Sequence, residues 1–181
     1  MSTYKQSIPQ ADTLMGSMRS MGYSFEAAIA DVIDNSISAN CNVVKLFFPS
    51  EPTDELVVGI LDDGEGMPAD VLFEAMRYGS TDSELERRAN DLGRFGLGMK
   101  SASLSQCRIL TVVSLYADKL SSYSWDFNCI QKRKEWIVKE LSQTEIKSLP
   151  YIDSLLELSH GTLVLWQDFD VLEKSSGGIV Y

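Results

Sequence analysis

The sequence predicts an α+β protein built as a two-layer α/β sandwich. Two helical segments open the chain, and a pair of strand-length runs joined by a turn-rich link follows them. The second half is dominated by consecutive β-branched and aromatic runs. The order is helix, helix, hairpin, helix, polar stretch, helix and then strands. That order fits a layered sandwich better than a regular βαβ alternation.

Taken in turn, "DTLMGSMRSMGY" reads as a short helix closed by Gly22. In "SFEAAIADVIDNSISAN", Ser24 is the expected N-cap, and Ala27, Ala28, Ala30, Val32, Ile33 and Ile37 make the helix nearly apolar on two sides, so burial is expected. "VVKLFFP" and "ELVVGILDD" have strand composition, and "SEPTD" links them. "PADVLFEAMRYG" opens with Pro68 near a first helical position and stops at Gly79, predicting another helix. The polar run "STDSELERRAN" reads as an exposed segment, followed by a helix from about Leu97 to Ser105. Strands are expected at "RILTVVSLYA", "LSSYSWDF", "KEWIVKEL" and "GTLVLWQDF", with short helices in "SQTEIKSLPYIDSLLEL".

At 181 residues the chain suits one domain with a proper core, so residues 1–181 are expected to form a single domain. The formal charge of -10 argues against non-specific affinity for nucleic acid or anionic membranes. Arg87, Arg88, Arg94 and Lys100 could still make a local basic patch. No apolar run reaches the roughly 18–20 residues needed to span a bilayer, and the N-terminus lacks a signal-peptide core. Cys41, Cys107 and Cys129 show no CxxC spacing, and one histidine is too few for a zinc cage. Reduced thiols in a cytoplasmic protein are the expectation.

Four stretches carry chemistry. Asp31 and Asn35 stand four apart on the second helix, one turn above each other. Either they face a partner such as a metal ion or water, or they belong to a solvent stripe with Asp34 and Ser38. In "ILDDGEGMPAD" a strand ends in Asp62, and Gly64 and Gly66 follow at DxGxG spacing. Glycines there let a flat ligand approach the backbone, and the carboxylate can accept from an amino group. The dinucleotide fingerprint fits poorly, because its acidic residue lies about twenty residues after the glycines. In "LGRFGLGMKSAS", Gly93, Gly96 and Gly98 precede a helix whose N-terminus suits an anion. A Walker A loop is excluded: Met99 intrudes before Lys100 and Ser101, turning the lysine by roughly 100°. Finally, "SHGTLVLWQDFD" sets Thr162 at the start of a late strand, and His160 reads as a turn residue with no visible partner.

The order and intervals of these stretches, with a GT strand at the end, resemble the GHKL ATPases of the Bergerat fold. That superfamily includes gyrase B subunits, heat-shock chaperones, MutL proteins, sensor histidine kinases and MORC proteins. "AIADVIDNS", "LDDGEGM" and "GRFGLGMKSAS" look most like the MORC and related prokaryotic ATPases. The resemblance implies a mixed, mostly antiparallel sheet covered by helices on one face, with ATP and Mg²⁺ as ligands. By the same resemblance Asn35 would coordinate Mg²⁺, and Asp31 would be the general base for the attacking water. Asp62 would take the adenine amino group beside Gly64, with Gly66, Met67 and Thr162 framing the base. Gly93, Arg94, Phe95, Gly96, Leu97 and Gly98 would wrap the phosphates, Lys100 would add charge, and residues 79–98 would form a lid.

Two positions depart from the family pattern. Asp31 stands where hydrolysing relatives keep glutamate, and Ser38 where relatives often have aspartate. Hydrolysing relatives also use a lysine from a following transducer domain, whereas this sequence stops at Tyr181. The resemblance thus implies an ATPase domain of a larger protein, weakly active in isolation, that dimerises on binding ATP. The alternatives are a nucleotide-binding module without hydrolysis and a sensor-kinase type domain. The latter is disfavoured because the acid four before Asn35 suits water activation and no phospho-acceptor helix precedes it. No membrane partner is expected, and a nucleic-acid partner is left open.

Overall fold

The computed structural model describes residues 7–20, 22–49, 56–77 and 98–169. Strands β1 (Val44–Phe47), β2 (Val57–Asp62), β3 (Ile109–Tyr116), β4 (Lys119–Asp126), β5 (Lys139–Glu140) and β6 (Gly161–Gln167) make one sheet. Its order is β1-β2-β6-β3-β4-β5, and every pairing is antiparallel. Among the described residues, the last strand in sequence, β6, therefore enters the middle of the sheet. One rung thereby aligns Asp62 of β2, Thr162 of β6 and Ser114 of β3. Directly paired residues share a face, so these three polar side chains stand side by side on the face that also carries Ile60, Val112 and Val164.

Five helices cover that face: α1 (Ala11–Arg19), α2 (Phe25–Ser38), α3 (Ala69–Met76), α4 (Gly98–Gln106) and α5 (Phe127–Arg133). Met15, Ala28, Val32, Leu72, Met76, Leu104 and Ile130 pack with Val58, Ile60, Leu110 and Trp166 into the larger core. Fully burying a side chain such as Leu104 is worth about 1.5–3 kcal/mol. The other face is covered too, in part, by α6 (Gln143–Lys147) and α7 (Ile152–Leu156). Ile146, Ile152 and Leu155 pack there on Val57, Leu61, Val113, Leu163 and Leu165. These are the short helices expected between the last two strands.

Local signals explain the boundaries. Ser24 caps α2, its hydroxyl accepting from the Ala27 amide at 3.2 Å. Pro68 precedes the first turn of α3. Ser142 and Glu145 form a reciprocal capping box on α6.

Two expectations change. The strand expected over "KEWIVKEL" contracts to Lys139–Glu140, because only those residues pair with Tyr123 and Ser124. Upstream of it, Asp126 accepts from the Cys129 amide and starts α5, which ends at Lys134 in the left-handed region. In α2, Ala28, Ile29 and Val32 are buried, but Ala27 and Ala30 are exposed and Ile37 is 52% exposed. The all-round burial belongs instead to α4, every residue of which from Lys100 to Gln106 is buried.

Candidate functional site

The site is organised around Asp62. β2 is buried on both faces throughout, so its final carboxylate is carried into the interior and is only 5% exposed. Three donors meet it there. The Ser36 hydroxyl donates to Oδ2 at 2.8 Å, the Gly64 amide donates to Oδ1 at 3.0 Å, and the Thr162 amide donates as well. Burial nevertheless outweighs these bonds and raises the carboxyl above its usual value. A buried, partly satisfied carboxylate is a group that gains from one more donor.

The turn after Asp62 is shaped by its glycines. A side chain on Gly64 would lie 2.9 Å from the Ala39 carbonyl. Gly66 has φ of +69°, and a side chain on it would collide with the Leu115 carbonyl. The turn is therefore pressed between the end of α2 and strand β3. Asp63 fastens it further, accepting from the Asn42 and Val43 amides at 2.7 and 2.8 Å. Those amides hold its carboxyl below the usual range. The Glu65 amide donates to the Ala39 carbonyl at 3.0 Å, and Asn40 Nδ2 donates to Glu65 Oε1 at 2.7 Å.

Asp31 and Asn35 sit one turn apart on α2, half-buried and exposed respectively. Asn35 Nδ2 donates to the Asp31 backbone carbonyl at 2.7 Å. Burial and then the neighbouring Asp31 charge hold the Tyr23 phenol above its usual pKa, which places Tyr23 beside the Asp31 carboxylate. Tyr23 is itself anchored, its carbonyl accepting from Gln106 Nε2 at 3.0 Å.

Asp62, Gly64 and Thr162 thus come together directly, and Gly66 and Met67 line the adjoining turn. Asp31 and Asn35 join that group through the shared helix and Ser36. α4 is described from Gly98 onward, and its expected start near Leu97 falls outside the described residues. Gly93, Arg94, Phe95, Gly96, Leu97 and the rest of the lid expected over 79–98 lie outside the described residues. Lys100 is 1% exposed, and its ammonium donates to the Ala75 carbonyl at 2.8 Å and to the Arg77 carbonyl. It thereby ties α4 to the end of α3, and burial lowers its pKa to about 8.

Three contributors escaped the sequence reading. Ser36, not Ser38, reaches the acid: Ser38 is exposed and donates to the Asp34 carbonyl at 2.9 Å. A step of one residue on a helix turns the side chain by roughly 100°, so Asn35 and Ser36 face different ways. Ser114 accepts from the Met67 amide at 2.7 Å. His160, expected to be without a partner, pairs through Nδ1 with the Gly64 carbonyl at 2.7 Å. A carbonyl only accepts, so Nδ1 carries the proton.

Among the described residues no three His, Cys, Asp or Glu side chains are grouped to cage a metal ion, and no helix is long and apolar enough to cross a membrane. No curated protein matches the chain at a significant level. The family described as histidine kinase-, DNA gyrase B- and HSP90-like ATPase matches residues 23–162, more than three quarters of the chain. That span runs from Tyr23 through Asp31, Asn35 and Asp62 to Thr162 on β6. With its antiparallel sheet and helical layer, the chain belongs to this family, the GHKL superfamily, and is an ATP-binding domain of that type.

Proposed function

We propose that this domain binds ATP together with Mg²⁺ and hydrolyses it, as a MORC-like GHKL ATPase. The observation that carries the reading is the buried Asp62 carboxylate with Ser36, Gly64 and Thr162 donating from the protein side. An adenine amino group supplies the further donor that such a carboxylate favours, whereas guanine would present an acceptor to it. The Gly64–Met67 turn offers flat backbone to one side of the base, and Thr162 offers a hydroxyl on the neighbouring strand.

At the other end, Asn35 gives its amide nitrogen to Asp31, so its Oδ1 is the oxygen it can offer a hard cation. One protein oxygen supplemented by phosphate oxygens and water suits Mg²⁺, which would neutralise the phosphates when bound. The N-terminal turn of α4 supplies amides and partial positive charge to an anion. Asp31, with the Tyr23 phenol beside it, would accept the proton of the attacking water. ATP-driven closure of segment 79–98 and dimerisation in a larger protein belong to this reading and rest on the motif resemblance. The short reach of Asp31 favours a second reading, binding without appreciable turnover.

Phosphate release measured against Mg²⁺ concentration tests the proposal. The expected result is Mg²⁺-dependent release that Asp31→Asn abolishes while ATP affinity is kept. Equal release from the wild type and Asp31→Asn would contradict the base. Tight ATP binding with no release from either would favour the second reading.

A further inference from the structure

We infer that Ser114 positions the base-binding walls of the pocket and helps to select the purine, an inference that rests on the ATP-binding reading above. Ser114 follows Leu110 and Val112 on the core-facing side of β3, where a third apolar residue would extend the core. It is fully buried all the same. Its hydroxyl accepts from the Met67 amide at 2.7 Å and directs its own proton towards the Gly161 carbonyl at 3.4 Å. One atom therefore links the end of the Gly64–Met67 turn to the residue before Thr162. It does so at the rung where Thr162 pairs with both Asp62 and Ser114.

The turn has little other freedom. A side chain on Gly66 would collide with the Leu115 carbonyl and come within 3.4 Å of the Ser114 hydroxyl, so this part of the turn rests on β3 itself. Losing the hydroxyl would leave the Met67 amide without its acceptor, and the turn would have to shift to find another. The distance between the Gly66–Met67 wall and the Asp62–Thr162 wall then changes. Ser114 touches no reacting atom in this scheme; it acts by fixing the width and depth of the slot that presents the base to Asp62.

The test is a calorimetric titration of the chain with ADP and with GDP, comparing Ser114→Thr and Ser114→Val. The two replacements have the same shape and β-branching, so their difference isolates the hydroxyl. We expect Ser114→Thr to keep the wild-type preference for ADP. Ser114→Val should weaken ADP by about five- to tenfold, the worth of one hydrogen bond, and narrow the ADP-to-GDP ratio. Equal ADP affinity in the two variants would overturn the inference. So would an equal loss for ADP and GDP, which is what a general loosening of the fold gives. If both β-branched variants fail to fold, Ser114→Ala against the wild type reads the same ratio without added volume. A wild type that prefers neither nucleotide, or binds neither, would remove the adenine-site reading itself before any variant is compared, and this inference with it.

Discussion

The Ser36 hydroxyl donates to Asp62 Oδ2 at 2.8 Å, joining the helix that carries Asn35 to the strand end that carries the acid. Both groups are nearly inaccessible to water, so the bond is made where it counts most. Ser36→Ala should lower stability by about 1.5–3 kcal/mol, the range for a hydrogen bond to a charged group. It should also weaken ADP binding while leaving the Mg²⁺ dependence of ATP binding in place. Urea denaturation and calorimetry check the two halves; unchanged stability would show the bond to be dispensable.

Asp62 carries a cost in the absence of a base. Its folded pKa lies above the ordinary 3.8 because of burial. Between 3.8 and that raised value the folded state holds more protons than the unfolded chain, so this group's contribution to stability falls as pH rises. Above the window the cost is fully present. Asp62→Asn can keep an oxygen towards Gly64 and a nitrogen towards Ser36, so at pH 7 it should melt no lower than the wild type. Its advantage should shrink as pH falls towards 4. A variant markedly less stable at pH 7 would contradict this sign.

The Tyr23 phenol stands outside α2 within electrostatic reach of the Asp31 carboxylate, whose charge helps to raise its pKa. Tyr23→Phe should leave ATP affinity within about twofold and reduce turnover several-fold, because an unoriented base loses its near-attack geometry. Loss of binding in parallel with turnover would assign Tyr23 to the fold rather than to orientation of the base.

Lys100 is a buried cation held by the carbonyls that close α3. Its ammonium titrates near 8 instead of 10.5. Between those values the unfolded chain binds more protons, so this group's contribution to stability rises with pH across that window. Measured by urea denaturation, the wild type should gain on Lys100→Met between pH 7.5 and 10. Parallel pH profiles would show that the amine is not desolvated.

Much of this arrangement was legible because it is local. Ser24, Pro68 and the DxGxG turn announce helix starts and a strand end within a few residues of themselves. The family match over residues 23–162 spans all of these stretches. The rest depended on tertiary distance. His160 finds Gly64 across 96 residues and Ser114 finds Met67 across 47. No pattern in "VVSLY" separates a buried structural serine from one that supports a pocket. Ser36 was hidden beside Asn35, since which neighbour faces the sheet depends on how α2 seats on it. The strand expected over "KEWIVKEL" failed for a related reason: β-branched and aromatic composition cannot show that β4 has room for only a short partner.

The central claim is that Asp62 receives the adenine amino group. Calorimetric titration of wild type and Asp62→Asn with a non-hydrolysable ATP analogue tests it most directly, with melting curves to verify that both are folded. The account predicts a loss of at least about 1.5–3 kcal/mol, roughly ten- to hundredfold, in a variant that remains folded. Equal affinity in the two proteins would contradict it.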